Sequence, residues 1–398
     1  MNVHFKRLLE IANKDERIIL GLMSGTSLDG LDLALCSFSG SGLQTNVKVL
    51  QFETISYDEE FRQQIREVFA KREVDMLKLT LLIVVIAEKH ASIINACLAN
   101  WKVDPKTVDA IASHGQTVYH APRVWHGLPD SPNATLQIGD GDHIARKTGI
   151  VTLSDFRQKH LAAGGEGAPL ALYGDYFLFS RSGVDRILLN IGGISNFTFL
   201  PASGDPNHAF ATDIGPGNTL IDAFARELFN VPFDENAMLA TAGGVDIRLL
   251  QILKDEPFFE KPFPKSTGPE MFSVAWVRAA MAMLPKGNPN PYDVMATLTQ
   301  LTAETIVDAV HKLPSAGLKK QLFLSGGGSH NPMTVRILKE KLPEISIAPM
   351  QDLGIHGDAK EAVLFALLAN ETLAGEYGPS EWLGGIPLVG MGKISLPD

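Results

Sequence analysis

Cysteine is the residue that this sequence most conspicuously lacks. Only Cys36 and Cys97 occur among 398 residues, and both lie in apolar surroundings. Two thiols cannot build the disulfide framework that stabilises many small secreted domains. We therefore predict a reducing compartment, the cytoplasm, as the location of this protein.

Long apolar segments are also lacking. The most apolar run, "LTLLIVVIA" at 79–87, has nine residues, whereas a membrane-spanning helix needs about 20. The first segment, "MNVHFKRLLEIANKDERIIL", has neither the apolar core nor the small-residue cleavage site of a secretory leader. We expect an amphipathic helix near the N-terminus, a buried helix around 79–87 and no membrane partner.

A strong charge of either sign is absent too. With 35 basic and 45 acidic residues the formal charge is −10, which is mild for this length and argues against nucleic acid as a partner. Hydrophobic residues make up 45% of the chain, enough for a core without metal or disulfides. Because domains usually contain about 100–200 residues, two domains are expected.

Two common nucleotide-binding fingerprints are missing. The sequence G-x-x-x-x-G-K-[ST] of a P-loop does not occur, and no strand immediately precedes "GGEGAP" at 164–169, as a dinucleotide fingerprint would require. Neither do the histidines at 114, 120 and 126 match a familiar zinc spacing. If ATP binds, another architecture must hold it.

Glycine-rich turns after apolar strands are what the sequence has instead. Four occur, at Gly21–Gly30, Gly192–Asn196, Gly215–Asn218 and Gly326–Asn331. Backbone N–H groups in such turns and at helix N-termini form anion sites. Plain turns are the alternative, since glycine is the default turn residue, but the repetition favours phosphate binding.

Two of these turns belong to segments that resemble each other. Arg17–Phe38 and Arg186–Leu200 both begin Arg-Ile, continue apolar, turn on small residues and leave as an alternating strand. Strands alternate with helices along the whole chain, which predicts α/β layers. The weak repeat predicts two related α/β domains whose equivalent turns face one cleft.

Two aspartates and one arginine stand at positions suited to chemistry. Asp213 ends an apolar strand just before a Gly-Pro-Gly turn, and Asp29 lies in the first glycine-rich turn. Such carboxylates suit a base for a hydroxyl or water and an anchor for magnesium; a helix cap and a turn residue are the alternatives. Arg157 could hold an anionic group bidentately, or pair with Asp155 at the surface.

A set of motifs resembles those of the anhydro-N-acetylmuramic acid kinase family. In the family's order, the chain contains "GLMSGTSLDGLD", "SHGQT", "LQIGDG", "DFR", "AAGGEGAPL", "LNIGGISN", "DIGPGN", "PKSTG" and "GGGSHN". The resemblance spans about 18–368. The related levoglucosan kinase shares most of these motifs.

The resemblance implies a fold of two actin-like (ribonuclease H-like) α/β domains flanking a nucleotide cleft. Residues 1–180 would form an N-terminal domain with the phosphate-binding hairpin and part of the sugar site. Residues 181–398 would form a C-terminal domain with the catalytic aspartate and the adenosine-binding turns, and the last helix is a candidate for packing back on the first domain.

The resemblance also implies a reaction. ATP, water and 1,6-anhydro-N-acetylmuramic acid would give N-acetylmuramic acid 6-phosphate and ADP, with Mg²⁺ as cofactor, in peptidoglycan recycling. The implied partners are the anhydrosugar and ATP, and a homodimer is implied on this ground alone.

Carried over by position, the resemblance assigns roles to individual residues. Asp213 would be the catalytic base and Glu361 would contact sugar and water. Thr117, Arg157 and Lys159 would lie on the sugar side, and Asp29 would lie near magnesium. The residues implied on the nucleotide side are Ser24, Gly25, Thr26, Ser27, Leu28, Asp29, Gly30, Gly192, Gly193, Gly215, Gly326, Gly327 and Gly328.

Three departures from the family pattern bear on the substrate. After "DFR" the family typically has Arg-Arg-Asp, whereas this chain has Gln-Lys-His, and Lys159 cannot fork bidentately. Glu166 and Asp140 add negative charge where the family has neutral residues. A kinase for a neutral anhydrosugar such as levoglucosan therefore stays open. A nucleotide-gated binding protein is the other alternative, against which Asp213 and Glu361 argue.

Overall fold

The computed structural model divides the chain into two compact units. Unit 1 comprises Met1–Leu178 and Gly354–Asp398, and unit 2 comprises Phe179–Leu353. The residues that the structure describes are 2–168, 170–268, 270–285, 287, 289–314, 319–355, 357–376, 382–383 and 386–397.

Helices and strands alternate through both units. The strands are β1 (Glu16–Ser24), β2 (Gly30–Ser39), β3 (Asn46–Ser56), β4 (Ala110–Ala121), β5 (Ala134–Ile138), β6 (Thr152–Ser154), β7 (Val184–Ile191), β8 (Ile194–Leu200), β9 (Phe210–Pro216), β10 (Lys319–Ser325), β11 (Ser346–Pro349), β12 (Trp382–Leu383), β13 (Ile386–Pro387) and β14 (Lys393–Ser395). The helices are α1 (Val3–Ala12), α2 (Glu59–Arg66), α3 (Met76–Asn100), α4 (Arg123–His126), α5 (Gly141–Thr148), α6 (Phe156–Ala162), α7 (Ala171–Phe179), α8 (Asn218–Phe229), α9 (Met238–Thr241), α10 (Ile247–Lys254), α11 (Val274–Ala282), α12 (Pro291–His311), α13 (Pro332–Lys341) and α14 (Lys360–Ala374).

The two main sheets have the same topology. In unit 1 the order is β14-β6-β4-β1-β2-β3, with β5 beside β4; in unit 2 it is β11-β10-β7-β8-β9. In each unit the first three strands form an antiparallel meander, and the next strand pairs parallel with the other side of the first. This is the actin-like (ribonuclease H-like) arrangement, so the predicted fold class is confirmed. The weak sequence repeat corresponds to β1–β2 and β7–β8.

The last long helix belongs to unit 1. All side chains of α14 from Ala362 to Glu371 are buried, and the helix contacts β1, β2 and β4. The approach is close because position 21 has no side chain: a Cβ on Gly21 would lie 1.9 Å from the carbonyl oxygen of Ala362. The predicted second domain, 181–398, is therefore too long at its C-terminal end.

Helix α3 is long and apolar enough to cross a membrane, by length and composition alone. In unit 1 its inward face joins the hydrophobic core through Leu82, Ile86 and Ile94. Its outward face exposes Leu81 and Val85. The helix predicted around 79–87 therefore exists, but only one of its faces is buried.

Three element boundaries have local causes. The helical residues of 237–254 are divided between α9 and α10, where Gly243 passes so close to the backbone of Tyr292 that a Cβ would lie 2.2 Å from its carbonyl oxygen. Strand β6 ends at Ser154, because Asp155 is left-handed (φ 55°) and α6 begins at the next residue. Helix α2 ends at Arg66, with Glu67 as its C-cap.

The contact at Gly21 predicts a large effect of a single methyl group. Gly21→Ala should lower the free energy of unfolding by about 1–3 kcal/mol, because the clashing atom is backbone and α14 would have to move. Chemical denaturation measures this. Gly357→Ala is the matched control in the same unit, since no heavy atom lies within 4 Å of its Cβ position. Equal stability of the two variants would contradict the packing described.

Candidate active site

The turn between β1 and β2 presents small polar residues to solvent. Thr26, Ser27 and Asp29 are exposed, whereas Leu28 is buried and has a left-handed backbone (φ 59°). The Oγ of Ser27 donates to Oδ1 of Asp29 at 2.6 Å. Leu28 thus anchors the turn in the core, and the predicted metal-side carboxylate is exposed with one oxygen held by a neighbour.

A buried chain of hydrogen bonds supports this turn from the core side. His90 Nε2 lies 2.8 Å from the Tyr57 hydroxyl, and that hydroxyl lies 2.9 Å from Ser24 Oγ. Ser24 donates to Gln116 Oε1 at 2.6 Å, and Gln116 Nε2 donates to the carbonyl of Gly25 at 3.2 Å. Since Ser24 has one hydrogen, Tyr57 donates to Ser24 and His90 donates to Tyr57.

Ser24 therefore differs from its neighbours in the predicted nucleotide set. Its side chain is buried and its hydroxyl is fully engaged with Gln116 and Tyr57. Its geometry suits it to hold the start of the turn in place rather than to touch a ligand. Gln116, within "SHGQT", is a supporting residue that sequence reasoning did not single out.

A second loop of unit 1, residues 164–168, is held by Arg157 and His160. Arg157 Nη1 donates to the carbonyl of Gly167 at 2.6 Å, and its Nε donates to His114 Nε2 at 3.0 Å. His160 Nδ1 accepts from the N–H of Gly167 at 2.8 Å. The approach is tight, because a Cβ on Gly165 would lie 2.2 Å from the His160 ring.

These contacts change the interpretation of Arg157. The surface pair with Asp155 is not what the structure describes: Asp155 pairs with Lys393. Two nitrogens of Arg157 bond to groups of the protein, which leaves Nη2 as its nitrogen without a partner among the described residues. Burial lowers the pKa of Arg157, and the nearby Glu361 carboxylate opposes that shift.

Three other residues predicted on the sugar side, Thr117, Lys159 and Glu361, also belong to unit 1. Thr117 Oγ1 accepts from Gln137 at 3.3 Å on β4, and Lys159 is exposed on α6. Glu361 is in the first turn of α14. Its pKa is raised by partial desolvation and by the Asp32 carboxylate, while Arg157 acts in the opposite direction.

The two acidic departures from the family pattern, Asp140 and Glu166, have different surroundings. Asp140 is the N-cap of α5, where its carboxylate accepts from the N–H of Asp142 at 2.8 Å. Its charge is therefore placed favourably at a helix N-terminus. Glu166 is exposed on the loop that Arg157 and His160 hold.

In unit 2 the first glycine turn is bonded to the start of a helix. The carbonyl of Gly192 accepts from the N–H of Asn218, and that of Gly193 accepts from the N–H of Gly217, at 2.8 and 2.9 Å. A Cβ on Gly217 would lie 2.2 Å from the Gly192 oxygen. The β7–β8 turn and the N-terminus of α8 are thus one rigid element.

The triple-glycine turn after β10 packs onto the same element. Gly326 has a left-handed φ of 77°, and a Cβ on Gly328 would lie 2.2 Å from the Ile191 side chain. Next to this turn is a pocket of about 430 Å³. Its lining is Asn218, Ile221, Asp222, Phe233, Asp234, Glu235, Asn236, Gly327, Gly328, His330 and Asn331.

Most of that lining was not predicted as site residues. The segment 233–236 follows α8 in a stretch that carries no motif signal, so only the fold brings it to the glycine turn. Gly215 and Gly193 do not line this pocket; a Cβ on Gly215 would lie 2.7 Å from the Phe259 ring, and one on Gly193 would lie 2.6 Å from Thr219 Oγ1. Close packing requires glycine at both positions.

Asp213 is half-buried near the end of β9. Its Oδ2 accepts from the N–H of Thr267 at 2.9 Å, and its own N–H donates to the carbonyl of Lys265 at 2.9 Å. Desolvation raises the pKa of Asp213, and the Thr267 bond partly offsets this. The cap of α8 is Gly217, so Asp213 does not serve as the helix cap.

Within the described ranges, no group of three or more His, Cys, Asp or Glu side chains could hold a metal ion. A magnesium ion at the β1–β2 turn would take Asp29 as its predicted carboxylate ligand, with phosphate oxygens and water among its other ligands. This donor set fits a nucleotide-bound Mg²⁺, and a dedicated metal cage is not what these residues form.

The repeated sheet topology and the glycine turns at the ends of its strands define the class. Each unit carries a hairpin turn after its first strand, and unit 2 adds a glycine turn beside a pocket. The protein therefore belongs to the class of actin-like α/β proteins, built from two units of equivalent fold whose glycine turns are suited to phosphate.

The comparisons then specify the family. The family model described as "Anhydro-N-acetylmuramic acid kinase" matches residues 17–382. Proteins named anhydro-N-acetylmuramic acid kinase are 47% identical in Pseudoalteromonas atlantica, over all of both chains, and 40% identical in Caldanaerobacter subterraneus, over 98% of this chain and all of the other. The chain belongs to the anhydro-N-acetylmuramic acid kinase family.

The chain is also similar, at low identity, to a solved structure. Component A of (R)-2-hydroxyglutaryl-CoA dehydratase from Acidaminococcus fermentans is 12% identical, with a TM-score of 0.40 over 90% of this chain and 99% of the other. That likeness is too low to add to the argument from topology.

Buried neutral histidines predict a stability loss on mild acidification. Burial lowers the pKa of His90 to about 4, of His114 to about 3 and of His160 to about 4, whereas an unfolded histidine titrates near about 6.5. As the pH falls from 6.5 towards 4, the unfolded chain binds protons that the folded chain does not. The free energy of unfolding must therefore fall over this window.

In His160→Asn the free energy of unfolding should fall by about 1–3 kcal/mol less than in the wild type between pH 6.5 and 4.5. Asparagine does not titrate, and its Oδ1 can still accept from the N–H of Gly167. Denaturant unfolding at a series of pH values measures it. His208→Asn, at an exposed histidine, is the control. A pH dependence equal to that of the wild type would contradict the buried neutral state.

Proposed function

We propose that this kinase opens the 1,6-anhydro ring of 1,6-anhydro-N-acetylmuramic acid with water and phosphorylates O6. The products are N-acetylmuramic acid 6-phosphate and ADP, and the reaction serves peptidoglycan recycling. The observation that carries the proposal is the Asp213 carboxylate, half-buried, raised in pKa and oriented by one backbone N–H, in a chain of this family.

Asp213 acts as the general base. With Oδ2 held by Thr267, Oδ1 accepts no hydrogen bond from a described residue and is free to take a proton from water. The water oxygen bonds to C1 as the C1–O6 bond breaks, and O6 attacks the γ-phosphorus of ATP as ADP leaves. The raised pKa makes the Asp213 carboxylate a stronger base.

ATP is held by backbone donors and glycine turns. In unit 1 the exposed residues of the β1–β2 turn, and in unit 2 the Gly326–Gly328 turn, are each suited to bind phosphate, whose developing charge N–H groups stabilise. The pocket beside Gly327 takes the nucleoside part. Mg²⁺, with Asp29 as its protein ligand, would supply charge neutralisation on the phosphates.

The sugar side uses Glu361 and Thr117, with Arg157 in a double role. Glu361 accepts from sugar hydroxyls or water. Arg157 orders the 164–168 loop through two nitrogens and contacts the sugar through Nη2. Lys159 takes the place of an arginine and offers a point charge to the lactyl carboxylate.

A neutral anhydrosugar such as levoglucosan is the second candidate substrate. This candidate is favoured by the exposed Glu166, which adds negative charge, and by Lys159, which cannot bind a carboxylate bidentately. The capping role of Asp140 removes the second acidic departure from this argument.

Asp213→Asn tests the base directly. We expect kcat to fall by about 10²- to 10⁴-fold, while the Kd for ATP stays nearly unchanged because no nucleotide contact is removed. ADP release and calorimetric nucleotide binding give the two readouts. Asp246→Asn, at the cap of α10, is the control, because asparagine also caps a helix. Near-normal turnover of the Asp213 variant would refute the assigned role.

A comparison of substrates tests the sugar assignment. We expect a higher kcat/KM for anhydro-N-acetylmuramic acid than for levoglucosan. Lys159→Arg should raise kcat/KM for the lactyl-bearing sugar alone, because guanidinium can bind a carboxylate bidentately. Lys147→Arg, exposed on α5, is the control. The reverse ranking of the two sugars would favour the second candidate.

A further inference from the structure

The segment 264–267 lies against the end of β9 and determines how Asp213 is held. The N–H of Lys265 donates to Thr212 Oγ1 at 2.9 Å, and its carbonyl accepts from the N–H of Asp213 at 2.9 Å. Two residues further on, the N–H of Thr267 donates to Asp213 Oδ2 at 2.9 Å. The orientation of the carboxylate therefore depends on where this segment lies.

The side chain of Lys265 fixes the segment. Its Nζ donates to the carbonyls of Phe258 and Phe259, at 2.9 and 3.0 Å, in the short turn Pro257–Glu260. The ammonium also lies 4.5 Å from the centre of the Phe258 ring and 5.3 Å from that of Phe263. Cation–π attraction adds to the two hydrogen bonds.

No carboxylate among the described residues pairs with Lys265. The nearby Glu260 is bound by Lys312 at 3.0 Å. Across the small pocket that Lys265 lines, Lys254 is bound to Glu304 and Asp308, at 2.7 and 2.8 Å. The ammonium thus interacts with neutral carbonyls and aromatic faces in a partly desolvated place.

The surroundings of Lys265 also lower the pKa of its ammonium group. Burial, together with the neighbouring Lys312 and Lys261 and against the opposing Glu260, lowers the pKa of Lys265 to about 8. Lys254 and Asp308 face the same pocket and largely cancel each other. The charge that fixes the segment is therefore lost on mild alkalinisation.

We propose that Lys265 is a positioning residue for the catalytic base: its ammonium fixes the 257–267 segment, whose Thr267 N–H orients the Asp213 carboxylate. This inference rests on the proposed function of Asp213 and deepens it. Lys265 acts through the segment and touches no reacting atom.

The role predicts a distinct kinetic signature. Lys265→Met keeps the apolar stem and removes the charge, and should lower kcat by about 10- to 100-fold, since misplacing a reacting group is costly. The KM for ATP should stay nearly unchanged. The acid limb of the kcat/KM profile should move to higher pH, because the Thr267 bond that lowers the Asp213 pKa is loosened.

Lys254→Met is the matched control, because Lys254 lines the same pocket but does not bond to the segment. It should keep wild-type kcat and pH profile. Lys265→Arg covers the case in which the methionine variant does not fold. It should retain turnover at pH 7 and lack the alkaline limb that we expect for the wild type near pH 8, because the pKa of Lys265 is lowered to about 8.

The pH profiles, with thermal melting as a check on folding, decide the proposal. A folded Lys265→Met enzyme with wild-type kcat and acid limb would overturn it, as would an equal loss in Lys254→Met. An alkaline limb still near pH 8 in Lys265→Arg would overturn it too. An inactive Asp213→Asn enzyme beside an unaffected Lys265→Met would refute only this role, whereas an active Asp213→Asn enzyme would refute the base itself.

Discussion

The contact between Gly21 and the backbone of Ala362 is the constraint on which the site of unit 1 depends. It lets α14 lie directly on the central strand β1. Glu361 is the residue immediately before Ala362, so the same contact sets its position. Glu361 interacts electrostatically with Asp32 and Arg157 because α14, which lies late in the sequence, packs against the sheet of unit 1. A side chain at position 21 would move the candidate catalytic residue as well as the core.

Neutral buried polar groups hold the candidate site in shape. His90, Tyr57, Ser24 and Gln116 form a chain behind the β1–β2 turn, and His160 holds the Gly167 N–H. Because burial keeps these histidines uncharged, they can order backbone without the desolvation cost of buried ions. The exposed groups, such as Asp29 and Lys159, are then free to face ligands.

The turns of unit 2 are held in a different way, by hydrogen bonds between backbone groups. The carbonyls of Gly192 and Gly193 bond to the first residues of α8, and Gly326–Gly328 packs on the end of β7. Small residues are required there for close approach, and Gly327 and Gly328 also line the pocket. In unit 2 the charged side chain to which we assign a positioning role is Lys265, which supports the proposed base and not the nucleotide turn.

Much of this protein was predictable from local sequence. The hairpin turns, the two related α/β halves and the candidate base follow from glycine placement, strand alternation and a carboxylate at a strand end. Asp213 and the Gly326–Gly328 turn could be named because their motifs are short and contiguous. Local patterns determine such features because turn chemistry and strand pairing act over few residues.

Tertiary structure decided what local patterns could not. That Ser24 faces the core, that Arg157 bonds to His114 and Gly167, and that Asp140 caps a helix all depend on partners brought near by folding. The pocket residues 233–236 and the return of α14 to unit 1 involve large sequence separations. The sequence determined which residues could do chemistry, and long-range packing and burial decided which of them are exposed and which hold the others in place.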